Sequence, residues 1–162
     1  MGDLQIVAQI RWRHACCGRP LPMPAPHPTP VLVVEDDGNT LSGYMEFLAS
    51  AGFKPTGVAD ARHALPIALC NPPDVVVTDI SLPGMSGFEF AAALRADVRT
   101  QHVPVIGLTA HWTPQVRTRA ADVKMQAVLL KPCIPSHLVA EVERVLGRPI
   151  RSAPEGSVAH RP

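Results

Sequence analysis

The run Val75-Val76-Val77-Thr78-Asp79 constrains this chain more than any other stretch. Its β-branched residues, bounded by Pro72-Pro73 and Pro83-Gly84, predict a short strand buried on both faces. Val31-Leu32-Val33-Val34, residues 103–108 and residues 127–130 have the same character, and amphipathic segments separate them. Alternating strands and helices build a parallel sheet covered on both faces, with ligands at the carboxyl edge of the strands. Here the strand ends carry chemistry: Glu35-Asp36-Asp37, Asp79, Thr109-Ala110 and Lys131-Pro132. The acids can hold Mg²⁺ through hard oxygen ligands, Asp79 can attack a phosphoryl group, and Thr109 and Lys131 can bind phosphoryl oxygens.

The helices are legible from spacing and punctuation. Leu41, Tyr44, Met45 and Leu48 fall at i, i+3, i+4, i+7, and Gly52 ends that helix. Residues 53–58 form a weak strand containing Pro55 and Gly57, which suits a sheet edge. Asp60 caps a helix to about Leu69. Ser86 and Glu89 make a capping box ahead of Phe90, Ala91, Leu94 and Val98. Thr113-Pro114 opens a fourth helix carrying Val116, Ala120 and Val123. Pro135-Ser136 opens a fifth with Leu138, Val142, Val145 and Leu146 inward and Gly147 at its end.

Taken together, the motifs Val-Val-Glu35-Asp36-Asp37, Thr78-Asp79-Ile-Ser-Leu-Pro83-Gly-Met-Ser-Gly87, Leu-Thr109-Ala110 and Leu-Leu-Lys131-Pro132 resemble those of response-regulator receiver domains, in order and spacing. The resemblance covers about residues 31–147. It implies an α/β, flavodoxin-like doubly wound (βα)5 parallel sheet with strand order 2-1-3-4-5, which sets the first and third strands side by side. It implies Asp79 as phosphoacceptor, with Thr109 and Lys131 on the phosphoryl group. Mg²⁺ would be held by Asp36 directly, Glu35 through water, Asp79, and the backbone carbonyl of Ser81, while Asp37 faces solvent or caps the helix. It also implies a cis bond before Pro132 that aims Lys131 inward.

The expected partners are a sensor histidine kinase or histidine phosphotransfer protein as donor, and a downstream protein target or an onward phosphorelay. Two other readings stand beside this one. A receiver-like interaction module that is never phosphorylated tends to lose one of the five site residues, and all are present here. A haloacid-dehalogenase-type phosphatase resembles Asp-x-Asp on its first strand, which Glu35-Asp36-Asp37-Gly38 does not match.

The sequence departs from the family at two places. Three residues before Lys131, receivers usually carry Tyr or Phe; here stands Val128, too short to fill that space. Lys124 replaces the glycine common at the end of the fourth helix, so some other turn should finish it. His111 and Ser81 flank the site where the family tunes loss of the phosphoryl group; His111 is placed to orient or exclude water, with a plain surface histidine as the other reading.

The rest bounds the setting. In 162 residues there is room for one domain, expected over 31–147, with a proline-rich, disordered extension over 1–30 and a flexible tail over 148–162. Prolines at every second position from Pro20 to Pro30 read as an extended spacer that cannot enter a sheet interior; upstream, residues 5–12 could form a brief element, and Trp12 with Arg11 and Arg13 a docking peptide. Residues 31–147 carry 9 Lys+Arg against 12 Asp+Glu, so no basic face argues for a nucleic-acid partner. Cys16, Cys17, Cys70 and Cys133 lack metal-ligand spacing and read as reduced thiols. Apolar stretches are too short for a membrane span, and the first residues lack a secretory pattern; the expected location is cytoplasmic.

Overall fold

A computed structural model describes residues 28–148. The expectations placed on the proline run before His27, on residues 5–12, on Cys16-Cys17 and on residues 149–162 lie outside the described residues. The elements alternate as β1 (Thr29–Val34), α1 (Gly38–Ser50), β2 (Phe53–Val58), α2 (Ala61–Cys70), β3 (Val75–Asp79), α3 (Gly87–Ala96), β4 (Val105–Thr109), α4 (Pro114–Asp122), β5 (Ala127–Leu130) and α5 (Pro135–Val145). The five strands are parallel, in the order β2-β1-β3-β4-β5. The flavodoxin-like arrangement expected from the sequence is the one observed.

Strand alternation divides the core between the two faces of the sheet. Val31, Val33, Val75, Val77, Ile106 and Leu108 pack against Tyr44 and Leu48 of α1 and Leu138 and Val142 of α5. Leu32, Val34 and Val76 turn the other way, onto the alanines of α2 and onto Phe90, Ala91 and Leu94 of α3. Burial on both sides explains why these strands read as unbroken apolar runs. Only β2, at the edge, is largely open to solvent, and it tolerates Pro55 and Gly57 there.

The helix starts follow the capping logic. Asp37, Asp60, Ser86 and Thr113 each accept a backbone N–H from the first turn of the following helix, and Ser86 with Glu89 completes the capping box. Three expectations need correction. First, β1 begins at Thr29, so Pro30 belongs to the strand; it lacks an N–H, but its carbonyl accepts from Asp74 at 3.0 Å, which is enough near a strand's start. Second, Val98 lies beyond the end of α3 and is 76% exposed, because the helix stops at Ala96, two residues before it. Third, Lys124 does not force a different turn: it adopts the left-handed conformation itself, φ 55°, at a cost of about 1–2 kcal/mol. Arg95 offsets this by donating to the Lys124 carbonyl at 3.0 Å.

Candidate functional site

The register carries the polar strand ends to one place. Val34 pairs with Thr78 across β1 and β3, Asp79 with Leu108 across β3 and β4, and Thr109 with Leu130 across β4 and β5. Glu35, Asp79, Thr109 and Lys131 therefore emerge at one edge, next to the amino ends of α1 and α3.

Lys131 is the hub. Its ammonium donates to both carboxylate oxygens of Glu35, at 2.8 and 2.6 Å, and to Asp79 Oδ2 at 2.5 Å. Asp79 Oδ1 accepts the Ser81 backbone N–H at 2.8 Å, so both oxygens of this nearly buried carboxylate are engaged. The Lys131 N–H donates to the Thr109 carbonyl at 2.7 Å, anchoring the start of the lysine loop on β4. The bond to Pro132 is cis, as the family resemblance implies.

Carboxylate oxygens of Glu35, Asp36 and Asp79 lie within 4.8 Å of one another, with Asp36 exposed and the other two buried. Burial raises the Glu35 pKa, and the hydrogen bonds and charge of Lys131 only partly counter that. Burial alone would pull Lys131 down, but hydrogen bonds from its ammonium to Asp79 and Glu35 outweigh it and hold the pKa above the ordinary lysine value. Three clustered carboxyl groups facing one ammonium leave an excess of negative charge. Hard oxygens, clustered in this way and partly open to solvent at Asp36, fit Mg²⁺ by donor chemistry. Asp37 stands outside this group. It caps α1 by accepting from the Thr40 N–H at 2.7 Å, and hydrogen bonding to the Thr40 side chain, then to its backbone, lowers its pKa.

Thr109 is brought to the edge but turned into its own loop. Its hydroxyl donates to the His111 carbonyl at 3.0 Å and accepts the His111 N–H at 3.2 Å. Ala110 and His111 are exposed, and Trp112 is 51% exposed. Ser81 meets Asp79 through its N–H. Val128 is half-buried and packs on the small cluster of Ile80, Phe88 and Ala120.

Two residues named in the sequence motifs support the site in ways that the sequence does not announce. Gly87 is required by close approach: a Cβ there would stand 2.3 Å from the Asp79 carbonyl oxygen. No local pattern announces this, although glycine at the end of the Asp79 loop is a signal of the right kind. Tyr44, buried on α1, donates its hydroxyl to the Cys133 carbonyl at 3.3 Å, a long bond between α1 and the loop after Lys131. Its spacing marked it as core, and its hydroxyl could not be assigned a partner from sequence.

The family model for the response regulator receiver domain matches residues 31–143. The chain belongs to the response regulator receiver family. Among curated relatives, the response regulator Rre1 of Synechocystis is 33% identical over 131 residues, covering 80% of this chain and 57% of its own length. The phosphate regulon transcriptional regulatory protein PhoB of Escherichia coli is 33% identical over 119 residues, covering 73% and 52%. The chain thus spans about half the length of the curated relatives it matches, and several of these are named as transcriptional regulators. They do not support the exclusion of a nucleic-acid partner that charge balance suggested. The chemotaxis response regulator CheY4 of Vibrio cholerae matches with a TM-score of 0.70 at 30% identity, covering 73% of this chain and 98% of that one. The receiver domain of the sensor histidine kinase PA1611 of Pseudomonas aeruginosa, solved with magnesium in its active-site cleft, matches at 0.69 and 28%, covering 74% and 98%. No helix among the described residues is long and apolar enough to cross a membrane.

Proposed function

We propose that this receiver accepts a phosphoryl group on Asp79 from the phosphohistidine of a sensor kinase or a histidine phosphotransfer protein. The observation that carries this reading is the arrangement around Asp79: one nearly buried carboxylate, oriented by the Ser81 N–H, with the Lys131 ammonium 2.5 Å from its other oxygen. A carboxylate oxygen of Asp79 attacks phosphorus, the phosphorus–nitrogen bond breaks, and its electron pair leaves on the imidazole, giving an acyl phosphate. Lys131 follows the charge onto the new phosphoryl oxygens while Glu35 holds its ammonium in place. The Thr109 hydroxyl supplies a further donor once it leaves His111. Asp36, Glu35, Asp79 and the Ser81 carbonyl are the groups that would hold Mg²⁺, which when bound supplies positive charge to the transferring group.

The product signals by binding a target protein or by passing the phosphoryl group onward, in the cytoplasm. The chemistry at Asp79 is the same whether or not a further domain accompanies the receiver. Incubation with Mg²⁺ and acetyl phosphate should add one base-labile phosphoryl group to the wild type, seen by intact mass, and none to Asp79→Asn. An equal phosphoryl load on the variant would overturn the assignment. No load on the wild type from any phosphodonor would point to an unphosphorylated interaction module.

A further inference from the structure

Ile80 directly follows Asp79, and its backbone N–H donates to the Leu108 carbonyl at 2.8 Å. Its side chain enters the apolar cluster with Phe88 and Ala120, against which Val116, Val123 and Met125 also pack. Beneath it, β4 carries Gly107, a residue with no side chain to pack in a buried central strand. A Cβ added at Gly107 would stand 3.0 Å from the Met125 sulfur and 3.3 Å from Ile80 Cδ1. Ile80 and Met125 therefore come together over bare backbone, in space that a larger residue at 107 would take from both. Through this contact the residue after Asp79 reaches the turn that ends α4.

The two ends of α4 are held very differently. At its carboxyl end, Met125 N–H donates to the Ala120 carbonyl at 2.9 Å, and Gln126 N–H to the Val105 carbonyl at 2.9 Å. Arg95 bridges the Lys124 and Val103 carbonyls at 3.0 and 2.8 Å, and the Gln126 side chain accepts the Val105 N–H at 2.6 Å. At its amino end, the Thr109 hydroxyl bonds to His111 of its own loop while its carbonyl accepts the Lys131 N–H, Thr113 caps its own helix, and Trp112 is half exposed. The carboxyl end of α4 is thus tied by backbone hydrogen bonds to β4 and by Arg95 to α3, whereas near its amino end the tie to the core is the packing of Val116 on the Ile80 cluster.

Resting on the proposed phosphorylation of Asp79, we infer that the Ile80–Met125 contact over Gly107 couples the charge state of Asp79 to α4. In this chain it takes the place of an aromatic residue at position 128, and half-exposed Trp112, ahead of α4, reports it. When Asp79 and its loop shift towards a bound phosphoryl group, Ile80 shifts with them and presses on Met125, in the turn that ends α4. A flexible thioether transmits that displacement without strain because its three torsions adapt.

The test uses the full chain with Trp12→Phe, so that Trp112 is the remaining tryptophan. Mg²⁺ with beryllofluoride, which mimics the acyl phosphate, is the probe, and Trp112 emission is the readout. Phosphorylation by acetyl phosphate is measured separately by intact mass. Met125→Ala should lower the emission change by roughly half or more while phosphorylation proceeds. Gly107→Ala, which pushes the same two side chains apart, should act in the same direction, and the volume-conserving Met125→Leu should keep the response. Met45→Ala, in the core on the opposite face, controls for lost stability and should leave the amplitude unchanged. A full emission change in both Met125→Ala and Gly107→Ala, or a silent Trp112 in a fully phosphorylated wild type, would overturn the coupling and leave Asp79 chemistry standing. A wild type that takes no phosphoryl group would remove the function itself, and the coupling with it.

Discussion

The carboxyl edge of the sheet has two halves, and they are in different states. On one side Glu35, Asp79 and Lys131 are already assembled, with ammonium–carboxylate distances of 2.5 to 2.8 Å and little solvent access. On the other, Thr109 satisfies its hydroxyl within its own loop, beside exposed His111 and Trp112. The difference follows from charge. Opposite charges attract across strands without a ligand, whereas a neutral hydroxyl gains nothing by facing carboxylates that already have donors, so it bonds locally. Under the proposed function, the first half receives a phosphoryl group and the second responds to its arrival.

The strongest way to break this contrast is to remove the hub. Lys131→Met should slow phosphorylation of Asp79 by about a hundredfold, the size of losing one positioned donor to a developing oxyanion. Intact-mass time courses with acetyl phosphate measure it. A rate within a fewfold of wild type would mean that the assembled half is a structural ion pair only.

Next in size is Gly87→Ala. Its Cβ would collide with the backbone of Asp79, a neighbour that cannot rotate away, so the variant should lose about 2 kcal/mol in urea denaturation. Near-wild-type stability would show slack in the loop that presents Asp79.

The smallest effect lies beneath the assembled half and appears at alkaline pH. Burial raises Tyr44 from 10.0 to about 12 and Cys133 from 9.0 to about 11. Both groups stay neutral in the folded chain while ionising in the unfolded one, so the native state binds more protons in that range. Their stabilisation is complete below about pH 9 and is lost as pH rises through 11 and 12. Tyr44 is the single tyrosine, so ultraviolet absorbance reads its ionisation directly. Titration near pH 10 in the folded protein would contradict its burial against the Cys133 carbonyl.

How far the sequence carried depended on whether a feature is local. Strands rich in Val and Leu, and helices opened by Asp37, Ser86 and Thr113, are visible because period and capping are local properties. The edge position of β2 followed from Pro55 and Gly57. Pro30 was misplaced because a run of alternating prolines looks uniform, whereas the sheet needs only one carbonyl from its last member. Lys124 was misread because propensity argues against left-handed lysine, and a tertiary bond from Arg95 overrides propensity. The strand-end residues were legible as a set, but not that Lys131 would grip Glu35 as well as Asp79 while Thr109 faced away. That depends on side-chain directions across separate strands. Gly87, Gly107 and Met125 matter through close approach, which no local pattern encodes.

The most direct measurement is a pair of crystal structures, one free and one with Mg²⁺ and beryllofluoride on Asp79. Lys131 should keep its contact with Glu35 in both, while the Thr109 hydroxyl leaves the His111 backbone to donate to a fluoride. If Thr109 stays bonded to His111 with the site filled, or if Glu35 and Lys131 separate instead, the division into an assembled half and a responding half is wrong.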